Sequence, residues 1–382
     1  MTPNVLHVVD EFGTRSETFV YTVVTNHRAF SASVLCHARV HADEFPFARV
    51  HVHHKPRSRR TVEWWLAASI ERAGGRSPWR RRVEALIANL APSVIHAHFG
   101  PLGCEMTPVA AAMGVPLVTS LYGVDAAVLP YLPHWREAYA RLFHTGDLFL
   151  AEGPEMRKKV IAAGAPADRT VIQPIAIDPE KYPAWTPPAP DAEPVVLFVG
   201  RFVEKKGLID AVEAFAYARQ HGARARFVIV GAGPEEAAIR ARVSERSLED
   251  VVEFAGMRPH ADVIARLQTA AAFIHPSVTA SDGDSEGGAP TILLEAQAIG
   301  VPIVTTRHAD IPNVVPEGPG VYLSEEHDTQ GLGEGLITAL AARKRSSADY
   351  VKAHHAVAHA IQHLESHYVS VCGARQTAVG AR

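Results

Sequence analysis

The segment "VVLFVGRFVEKKGL", Val195–Leu208, joins an apolar run to a glycine, a cationic loop and the start of a helical pattern. An uninterrupted apolar run predicts a strand that is buried on both faces of a parallel sheet. Ligands bind at the carboxyl ends of such strands. Arg201 and Lys206 would lie there, and their charges suit the two phosphates of a nucleotide diphosphate. Alternatively, both residues are solvated loop charges.

The same alternation of strand and helix patterns extends along the chain and predicts an α/β protein built from parallel βαβ units. In the first half, strands are predicted at Val5–Val9, Ser33–His37, Arg49–His53, Val94–His98, Leu117–Leu121, Leu148–Ala151 and Thr170–Gln173. In the second half, strands are predicted in "PVVLFVGR", "ARFVIVGAG", "VVEFAGM", "AAFIHPS", "VPIVTT" and "GVYLS". Helices are predicted between them at Leu208–Gln220, Pro234–Ser247, Ala261–Gln268 and Thr291–Ile299.

A proline-rich segment divides the chain. Seven of the 21 residues from Pro174 to Pro194 are proline, and each blocks a helix interior or a central strand. We therefore predict two Rossmann-like, doubly wound domains with a ligand cleft between them. The predicted parts are an N-terminal acceptor-binding domain (1–174), a linker (175–193), a C-terminal donor-binding domain (194–360) and a C-terminal helix (361–382) packing back toward the first domain.

The composition excludes several classes of protein. The 382 residues carry a formal net charge of −3, which provides no global field for binding nucleic acid. Three cysteines without a CxxC motif indicate a reducing compartment rather than a secreted disulfide scaffold. The N-terminus lacks the basic region of a signal peptide, and no uncharged apolar run approaches the roughly 20 residues of a membrane span. We expect a cytoplasmic protein whose membrane contacts are peripheral.

A second segment, "GDSEGGAPTILLEAQAIGV" (Gly283–Val301), places two glutamates around a glycine turn and a helix start. The amides and the dipole of a helix N-terminus bind anions, and glycines let the backbone approach a ligand closely. Carboxylates accept hydrogen bonds from vicinal hydroxyls, so Glu295 is predicted to bind a ribose and Glu286 a sugar. The alternatives are an exposed helix residue for Glu295 and a solvated turn for Glu286.

The neighbouring sequence Asp282-Gly283-Asp284 has the DxD pattern that can bind Mg²⁺ and a diphosphate. Arg201, Lys206 and the helix amides can neutralise the phosphates without a metal. We therefore predict no metal site.

These motifs together are similar to those of a known family. "VGRFVEKKG", followed later by "EGGAPTILLEAQAIGVPIVTT", resembles the "GR…KG" diphosphate clamp and the Glu-x7-Glu motif of the retaining glycosyltransferases of family 4, which have the GT-B fold. "FAGMRPHADVIARLQTAAAFIHPS" is similar to the base-binding segment, and "FLAEGPEMRKKVIAAGAPADRTVIQPIAID" to the interdomain crossover. The resemblance implies transfer of a hexose from a nucleotide diphosphate sugar to a glycan or lipid-linked hydroxyl in cell-surface polysaccharide assembly. A UDP-sugar is favoured over a GDP- or ADP-sugar, and no cofactor is implied.

The resemblance also assigns roles by position. Arg201 and Lys206 would bind the donor diphosphate. Glu295 would bind the ribose, and Glu286 would act on the transferred sugar as a catalytic residue. Further donor contacts would come from the turn (Gly288, Ala289, Pro290, Thr291), from residues beside the base (Met257, Arg258) and from Tyr122.

This chain departs from the family pattern at one point. Eight residues separate Glu286 from Glu295, where the family has seven. The additional residue must lie in the Gly-Gly-Ala-Pro turn, which leaves Asp284 and Ser285 as alternatives for the task of Glu286.

In the first half, polar residues follow the predicted strands. Ser16, Glu17 and Thr18 belong to "SETF", which is similar to a run in exopolysaccharide-type family members and implies acceptor contacts. The same residues could equally form a helix capping box. His98, from "VIHAHFG", is a catalytic-site candidate, whereas His96 is interpreted as packed.

"SLYGVDA" provides Tyr122 and a further catalytic candidate, Asp125. The family commonly has His-Gly-x-Asp at this position, with the histidine lining the donor sugar. A phenol with a pKa of about 10 is a poor general base at neutral pH. The substitution is therefore compatible with the mechanism that the resemblance implies, in which the donor phosphate takes the acceptor proton.

Residues 55–82 form the basic segment of the chain. It holds one lysine and eight arginines against two glutamates, together with Trp64, Trp65 and Trp79. Arginine interleaved with tryptophan is typical of binding to an anionic membrane surface. The alternative is a solvated helical hairpin whose tryptophans lie in the core.

A histidine stripe, His355, His359, His363 and His367, recurs at helical spacing near the C-terminus. We interpret it as a solvated or packed face rather than a metal site, because no cysteine or carboxylate completes a ligand set.

Two other functions are compatible with the sequence. A GT-B-fold nucleotide-sugar epimerase of the non-hydrolysing UDP-N-acetylhexosamine type would need acid and base groups facing the sugar and no acceptor. A non-catalytic protein that binds nucleotide sugars would need no catalytic carboxylate.

Overall fold

A computed structural model describes residues 2–55, 62–189, 191–346 and 348–380. The chain divides into two compact units. The first unit contains Met1–Ala151, Arg157–Gln173 and Val357–Arg382, and the second contains Glu152–Met156 and Pro174–Ala356.

The described residues of the first unit form a parallel sheet with the strand order β3-β2-β1-β4-β5-β6-β7. Its strands are β1 (Asn4–Phe12), β2 (Ser31–Arg39), β3 (Val50–Val52), β4 (Val94–His98), β5 (Leu117–Leu121), β6 (Leu148–Ala151) and β7 (Thr170–Ile172). Every residue of β4, β5 and β6 is buried, as expected for strands of a sheet that is covered on both faces.

The helices that follow these strands have local stop and start signals. They are α1 (Thr18–Thr25), α2 (Val62–Arg72), α3 (Pro78–Leu90), α4 (Gly100–Met113), α5 (Val124–Ala127), α6 (Pro133–Thr145) and α7 (Pro154–Ala162). The Ser77 side chain caps α3 by accepting from the backbone N–H of Arg80, with proline at the first helical position. Gly114 ends α4 in the left-handed conformation, with φ of 67°.

The second unit has a parallel sheet with the strand order β10-β9-β8-β11-β12-β13 among its described residues. Its strands are β8 (Val195–Val199), β9 (Arg226–Val230), β10 (Val252–Gly256), β11 (Ala272–His275), β12 (Ile303–Thr306) and β13 (Val321–Ser324). Consecutive residues of β8 belong to different hydrophobic clusters. Phe198 belongs to the cluster that contains Phe215, whereas Leu197 belongs to the cluster that contains Phe273. The sheet is therefore buried on both faces, which explains its uninterrupted apolar runs.

The helices of the second unit are α8 (Leu208–Gln220), α9 (Glu236–Glu245), α10 (His260–Thr269), α11 (Thr291–Ile299), α12 (Ile311–Val314), α13 (Thr329–Ala342) and α14 (Ala348–His354). The final helix, α15 (Val357–Gly380), belongs to the first unit. In each sheet the strand order reverses direction beside the first strand, between β1 and β4 and between β8 and β11. These orders confirm the predicted doubly wound, Rossmann-like sheets, and ligands bind at such reversal points.

The proline-rich segment differs from the linker predicted at 175–193, because it packs into the second unit. Trp185 is 4% exposed and belongs to a core cluster of that unit. Its backbone N–H donates to the carbonyl of Ile299 (2.8 Å) and its indole N–H to that of Ala270 (2.7 Å). Prolines exclude regular structure here, but burial of an aromatic ring with both polar groups bonded still orders the segment.

The predicted domain limit at 360 and the histidine stripe also differ from the structure. The first unit resumes at Val357, and the side-chain amide of Gln173 donates to the carbonyl of Ala360 on α15. His355 lies before this helix, in the second unit, where its Nδ1 donates to the carbonyl of Ile175 (2.9 Å). The histidines therefore do not share one helix face. In the described part of the chain, no helix has the length and apolar character to span a bilayer.

Candidate active site

In the second unit, the candidate site begins where β8 ends. Arg201 follows the strand in an exposed position, and Lys206 ends a short 3₁₀ turn. Gly207 comes next with φ of +62°, and a Cβ atom there would lie 1.8 Å from the carbonyl oxygen of Pro276. Only glycine permits this approach, so the loop that carries Lys206 lies directly against the loop after β11.

Lys206 and Glu286 form an ion pair, with 2.7 Å between Nζ and Oε1. The hydroxyl of Ser277 donates to the same carboxylate oxygen (3.1 Å). Burial opposes ionisation of Glu286, but the charges of Lys206 and Lys205 outweigh it and lower the carboxyl pKa to about 2. Glu286 is therefore a buried, ionised carboxylate and not a residue of a solvated turn.

A second group of residues holds Glu286 from its backbone side. Its N–H donates to Nε2 of His308 (3.1 Å), which requires the His308 proton on Nδ1. That nitrogen donates to Oε1 of Glu326 (2.7 Å), and Oε2 of Glu326 accepts from the backbone N–H of Thr279. His308 and Glu326 were not among the residues predicted from the sequence. Their positions just after β12 and β13 are the signal that could have identified them.

The DxD residues have different partners. Asp284 forms an ion pair with Lys205 (3.0 Å), and Asp282 accepts from the backbone N–H of Asp284. Ser285 donates to the backbone carbonyl of Glu286. Despite the longer spacing in this chain, Glu286 and not Asp284 contacts Lys206.

The turn before α11 presents backbone amides at the helix N-terminus. Within the described residues, the N–H groups of Gly288 and Ala289 have no acceptor in the protein, and Pro290 precedes the first helical residue, Thr291. A Cβ atom on Gly288 would lie 2.5 Å from that of Glu152, so a larger residue does not fit. The turn can therefore bring amides close to an anion.

Glu295 lies one turn into α11 and is 4% exposed, which excludes the alternative of an exposed helix residue. Its Oε1 accepts from the hydroxyl of Tyr182 (3.2 Å) and from Nε2 of His260 (3.0 Å). Burial and the neighbouring carboxylate raise the pKa of Tyr182, so its phenol stays protonated and donates. No protein group in the described residues donates to Oε2, which leaves this oxygen as an acceptor for a ligand. Met257 and Arg258, predicted beside the base, are both exposed after β10.

In the first unit, β1 and β4 bring together three buried histidines: His7, His96 and His98. Nδ1 of His98 lies 2.7 Å from the hydroxyl oxygen of Tyr122, and its Nε2 lies 3.0 Å from Nδ1 of His7. Burial lowers the pKa of all three imidazoles, and neighbouring histidines lower it further, so they are neutral at pH 7.

These histidines offer nitrogens within 4.8 Å of one another, a geometry compatible with a metal ion. The nitrogens already have partners, however. His7 and His98 are bonded to each other, and His96 bonds the hydroxyls of Tyr368 (2.6 Å) and Ser120 (2.7 Å). The cluster is therefore a hydrogen-bonded core rather than an open ligand set.

Asp125, predicted as a catalytic residue, accepts hydrogen bonds from backbone amides of two segments. One oxygen accepts from the backbone N–H of Gly100 (2.9 Å), and the other from those of Tyr122 (3.0 Å) and Gly123 (2.8 Å). Burial raises its pKa, and these amides oppose the increase. Asp125 is fully enclosed and joins the start of α4 to the turn after β5.

The "SETF" residues lie at the start of α1. Ser16 is exposed, and the helix begins at Thr18 after Glu17, whose side chain makes no capping hydrogen bond, so the capping-box alternative is wrong. Phe19 packs on the ring of Tyr122, with 4.8 Å between centroids. This contact places the SETF segment beside the Tyr122–His98 pair.

The apolar side chains of the basic segment at 55–82 lie in different environments. Trp79 is buried and donates its indole N–H to the carbonyl of His53, as in a packed hairpin. Trp65 and Leu66 on α2 are 52% and 57% exposed. Residues 56–61 and the side chain of Trp64 lie outside the described residues.

Comparison with known proteins identifies the family. Residues 16–181 match the profile of Glycosyltransferase Family 4, and residues 185–356 that of Glycosyl transferases group 1. Over 279 residues, the chain is 33% identical to WcaL of Salmonella typhimurium, a glycosyltransferase named for colanic acid biosynthesis; the match covers 71% of this chain and 68% of the relative. It is 32% identical to the amylovoran biosynthesis glycosyltransferase AmsK of Erwinia amylovora, over 65% of this chain and 61% of the relative.

Solved structures show the same fold. A sucrose-phosphate synthase from Thermosynechococcus elongatus aligns with a TM-score of 0.75 at 16% identity, over 97% of this chain and 100% of that one. Anabaena HepE, solved with UDP-glucose, aligns with a TM-score of 0.71 at 16% identity, over 99% and 100%. These likenesses, with the two sheets, confirm the predicted GT-B fold class.

Proposed function

Because the chain belongs to glycosyltransferase family 4, we propose that it transfers a hexose from a nucleotide diphosphate sugar to a hydroxyl, with retention of anomeric configuration. The observation that carries this proposal is the Lys206–Glu286 pair beside the N-terminus of α11. A glycosyltransferase needs cations for the leaving diphosphate and a carboxylate for the sugar, and this pair supplies one of each. The names of WcaL and AmsK support an acceptor in cell-surface polysaccharide assembly.

The diphosphate would bind to three groups. An ammonium has three N–H donors, so Lys206 can keep its bond to Glu286 and donate to a phosphate oxygen. Burial lowers the pKa of Lys206, and the neighbouring charges of Lys205 and Arg201 lower it further. Arg201 is therefore near enough to bind the second phosphate. The amides of Gly288 and Ala289 and the dipole of α11 would stabilise the negative charge that develops as the bond to the sugar breaks.

The remaining donor contacts follow from burial and hydrogen bonding. Oε2 of Glu295 would accept from the ribose hydroxyls, while Tyr182 and His260 hold Oε1. Glu286 would accept from hydroxyls of the transferred hexose. The donor phosphate would take the acceptor proton, so no enzymic nucleophile is required. Asp284 already neutralises Lys205, which supports phosphate binding by cations and amides without a metal.

Uracil is the favoured base, since HepE, which has the same fold, was solved with UDP and with UDP-glucose. A thermal-shift panel of UDP-, GDP- and ADP-hexoses tests this preference, because a bound donor raises the melting temperature by mass action. We expect the largest shift with a UDP-hexose. If no nucleotide sugar shifts the melting temperature, the proposed assignment of the donor site is wrong.

Transfer is tested by the release of nucleoside diphosphate in the presence of p-nitrophenyl hexosides as hydroxyl acceptors. Glu286→Gln is expected to lower this rate by about 100-fold, the typical effect of removing one transition-state contact. Glu236→Gln, which changes an exposed ion pair with Arg240 in the same unit, is the control and should lose less than about fivefold. Conversion of the donor to an epimer without diphosphate release would instead identify an epimerase. Binding without any turnover would identify a sugar-nucleotide-binding protein.

We also propose that α2 contacts an anionic membrane surface, where a lipid-linked acceptor would lie. Its exposed Trp65 and Leu66 lie in the arginine-rich segment, which suits the interface of such a membrane. Co-sedimentation with vesicles containing 30% phosphatidylglycerol tests this membrane contact. The double variant Trp65→Ser plus Leu66→Ser should bind these vesicles more weakly than the wild type. Equal binding to neutral and anionic vesicles would exclude the proposal.

A further inference from the structure

A continuous chain of hydrogen bonds runs through the first unit from Tyr122, after β5, to Glu365 on α15. The hydroxyl of Tyr122 lies 2.7 Å from Nδ1 of His98, and Nε2 of His98 lies 3.0 Å from Nδ1 of His7. Nε2 of His7 lies 2.9 Å from Nε2 of His27, and Nδ1 of His27 lies 3.1 Å from Oε1 of Glu365. Each imidazole thus uses both nitrogens within the chain.

The Glu365 end determines the direction of these bonds. Its Oε1 also accepts from the backbone N–H groups of Arg28 (2.9 Å), Ala29 (3.0 Å) and Phe30 (3.2 Å). Burial opposes its ionisation, but these amides and His27 outweigh it and lower the carboxyl pKa. An ionised carboxylate only accepts, so His27 must donate from Nδ1.

The remaining positions follow because a neutral imidazole carries one proton. With its proton on Nδ1, His27 accepts at Nε2 from the Nε2–H of His7. His7 then accepts at Nδ1 from the Nε2–H of His98. His98 in turn accepts at Nδ1 from the hydroxyl of Tyr122.

The groups around this chain of hydrogen bonds keep its imidazoles neutral. Burial lowers the pKa of His7, His27 and His98, so a second proton on any of them is disfavoured. The His96 ring stacks on His98 (4.3 Å between centroids), and Tyr368 packs against His27 (5.8 Å). Both are neutral, since burial lowers the pKa of His96 and raises that of Tyr368.

We infer that this chain of hydrogen bonds directs the hydroxyl proton of Tyr122 toward His98, so that the phenol oxygen can only accept a hydrogen bond from a ligand. His98, His7, His27 and Glu365 are then positioning residues for Tyr122. A ligand group opposite the phenol must be a donor, such as a sugar hydroxyl, whereas a phosphate or carbonyl oxygen would face a lone pair. The inference deepens the proposed function and depends on it for the identity of the ligand, because Tyr122 lies at the carboxyl end of β5, where ligands of parallel sheets bind.

Imidazole ¹⁵N spectra of the full chain test the chain of bonds without any ligand. Through-bond assignment should place the proton of His27 on Nδ1 and those of His7 and His98 on Nε2 at pH 7.5. A proton on Nε2 of His27 or on Nδ1 of His98 would overturn the inference. This measurement stands even if no nucleotide sugar binds and the proposed function fails.

A double-mutant cycle tests the positioning role. Tyr122→Phe and His27→Phe should each lower diphosphate release about tenfold, and the double variant should be no slower than either single variant. A purely structural His27 would instead give losses that multiply, which would overturn the positioning role. Glu105→Gln, which alters a His37–carboxylate pair in the same unit, is the control and should keep full activity. If His27→Phe does not fold, Glu365→Gln replaces it in the cycle, with the same criterion.

Discussion

Nζ of Lys206 lies 2.7 Å from Oε1 of Glu286, and both side chains are nearly enclosed. The pair joins the loop after β8 to the loop after β11, so it links the phosphate-binding and sugar-binding parts of the candidate site. Removing either partner would leave a buried charge uncompensated. The pair therefore connects the stability of the second unit to its chemistry.

We expect Lys206→Met to lower the free energy of unfolding by about 3–5 kcal/mol at pH 7, because Glu286 would remain buried and charged. Urea unfolding measures this loss. Arg226→Met, which removes an exposed partner of Glu253 in the same unit, should cost less than about 1 kcal/mol. If both variants lost the same free energy of unfolding, the Lys206–Glu286 pair would contribute no more than an exposed pair, which would contradict the prediction.

The same pair predicts a pH dependence. The pKa of Glu286 is lowered to about 2 in the folded protein, so its ionisation stabilises the fold above the ordinary glutamate pKa. This contribution should fall as the pH drops from about 5 toward 2. In Glu286→Gln, the decline of unfolding free energy over this range should be shallower than in the wild type. Parallel curves would show that Glu286 is not the ionised group.

Glu295→Gln should weaken nucleotide binding, because a neutral amide accepts ribose hydrogen bonds less strongly than a carboxylate. Loss of a charge-assisted hydrogen bond of about 1.5–3 kcal/mol predicts a 10- to 100-fold increase in Kd. Isothermal titration with UDP measures it. Glu253→Gln, at a partly exposed position of β10, is the control. An equal increase of Kd in both variants would contradict a contact between Glu295 and the ribose.

Asp125→Ala should destabilise the first unit rather than alter the chemistry directly. Three backbone N–H groups would lose their acceptor in a buried turn, at a cost of about 2–4 kcal/mol. The loss should appear in urea unfolding, whereas Asp43→Ala, at an exposed position, should change little. A stable Asp125→Ala protein without activity would instead support the predicted catalytic role.

Gly207 and Gly222 form a matched pair for testing backbone crowding. Both have positive φ, +62° and +91°, but a Cβ on Gly207 would lie 1.8 Å from the Pro276 carbonyl oxygen, whereas Gly222 has nothing within 4 Å. Gly222→Ala should cost about 1–2 kcal/mol for its backbone conformation alone. Gly207→Ala should cost clearly more and reduce activity, since Lys206 must move. If both variants lost the same stability in thermal unfolding, crowding by the Pro276 carbonyl oxygen would have no effect, which would contradict the prediction.

Sequence by itself determined the elements and the chemical classes of the site. Apolar runs on consecutive residues predicted several strands of both sheets, because a strand covered on both faces has few polar positions. Helices α8 and α11 begin and end at the predicted residues. The longer Glu286–Glu295 spacing was visible too, but its consequence was not, since spacing does not show which carboxylate reaches a lysine.

Only the tertiary structure decided which groups meet. It paired Lys206 with Glu286 and Lys205 with Asp284, enclosed Asp125 among three amides, and packed Trp185 of the proline-rich segment into the second unit. It also joined Tyr122 to Glu365 through three histidines that lie far apart in sequence. The physical reason is that hydrogen bonds and ion pairs depend on distances of a few ångströms between side chains. Those distances are set by strand order and loop packing, which a local pattern of residues does not encode.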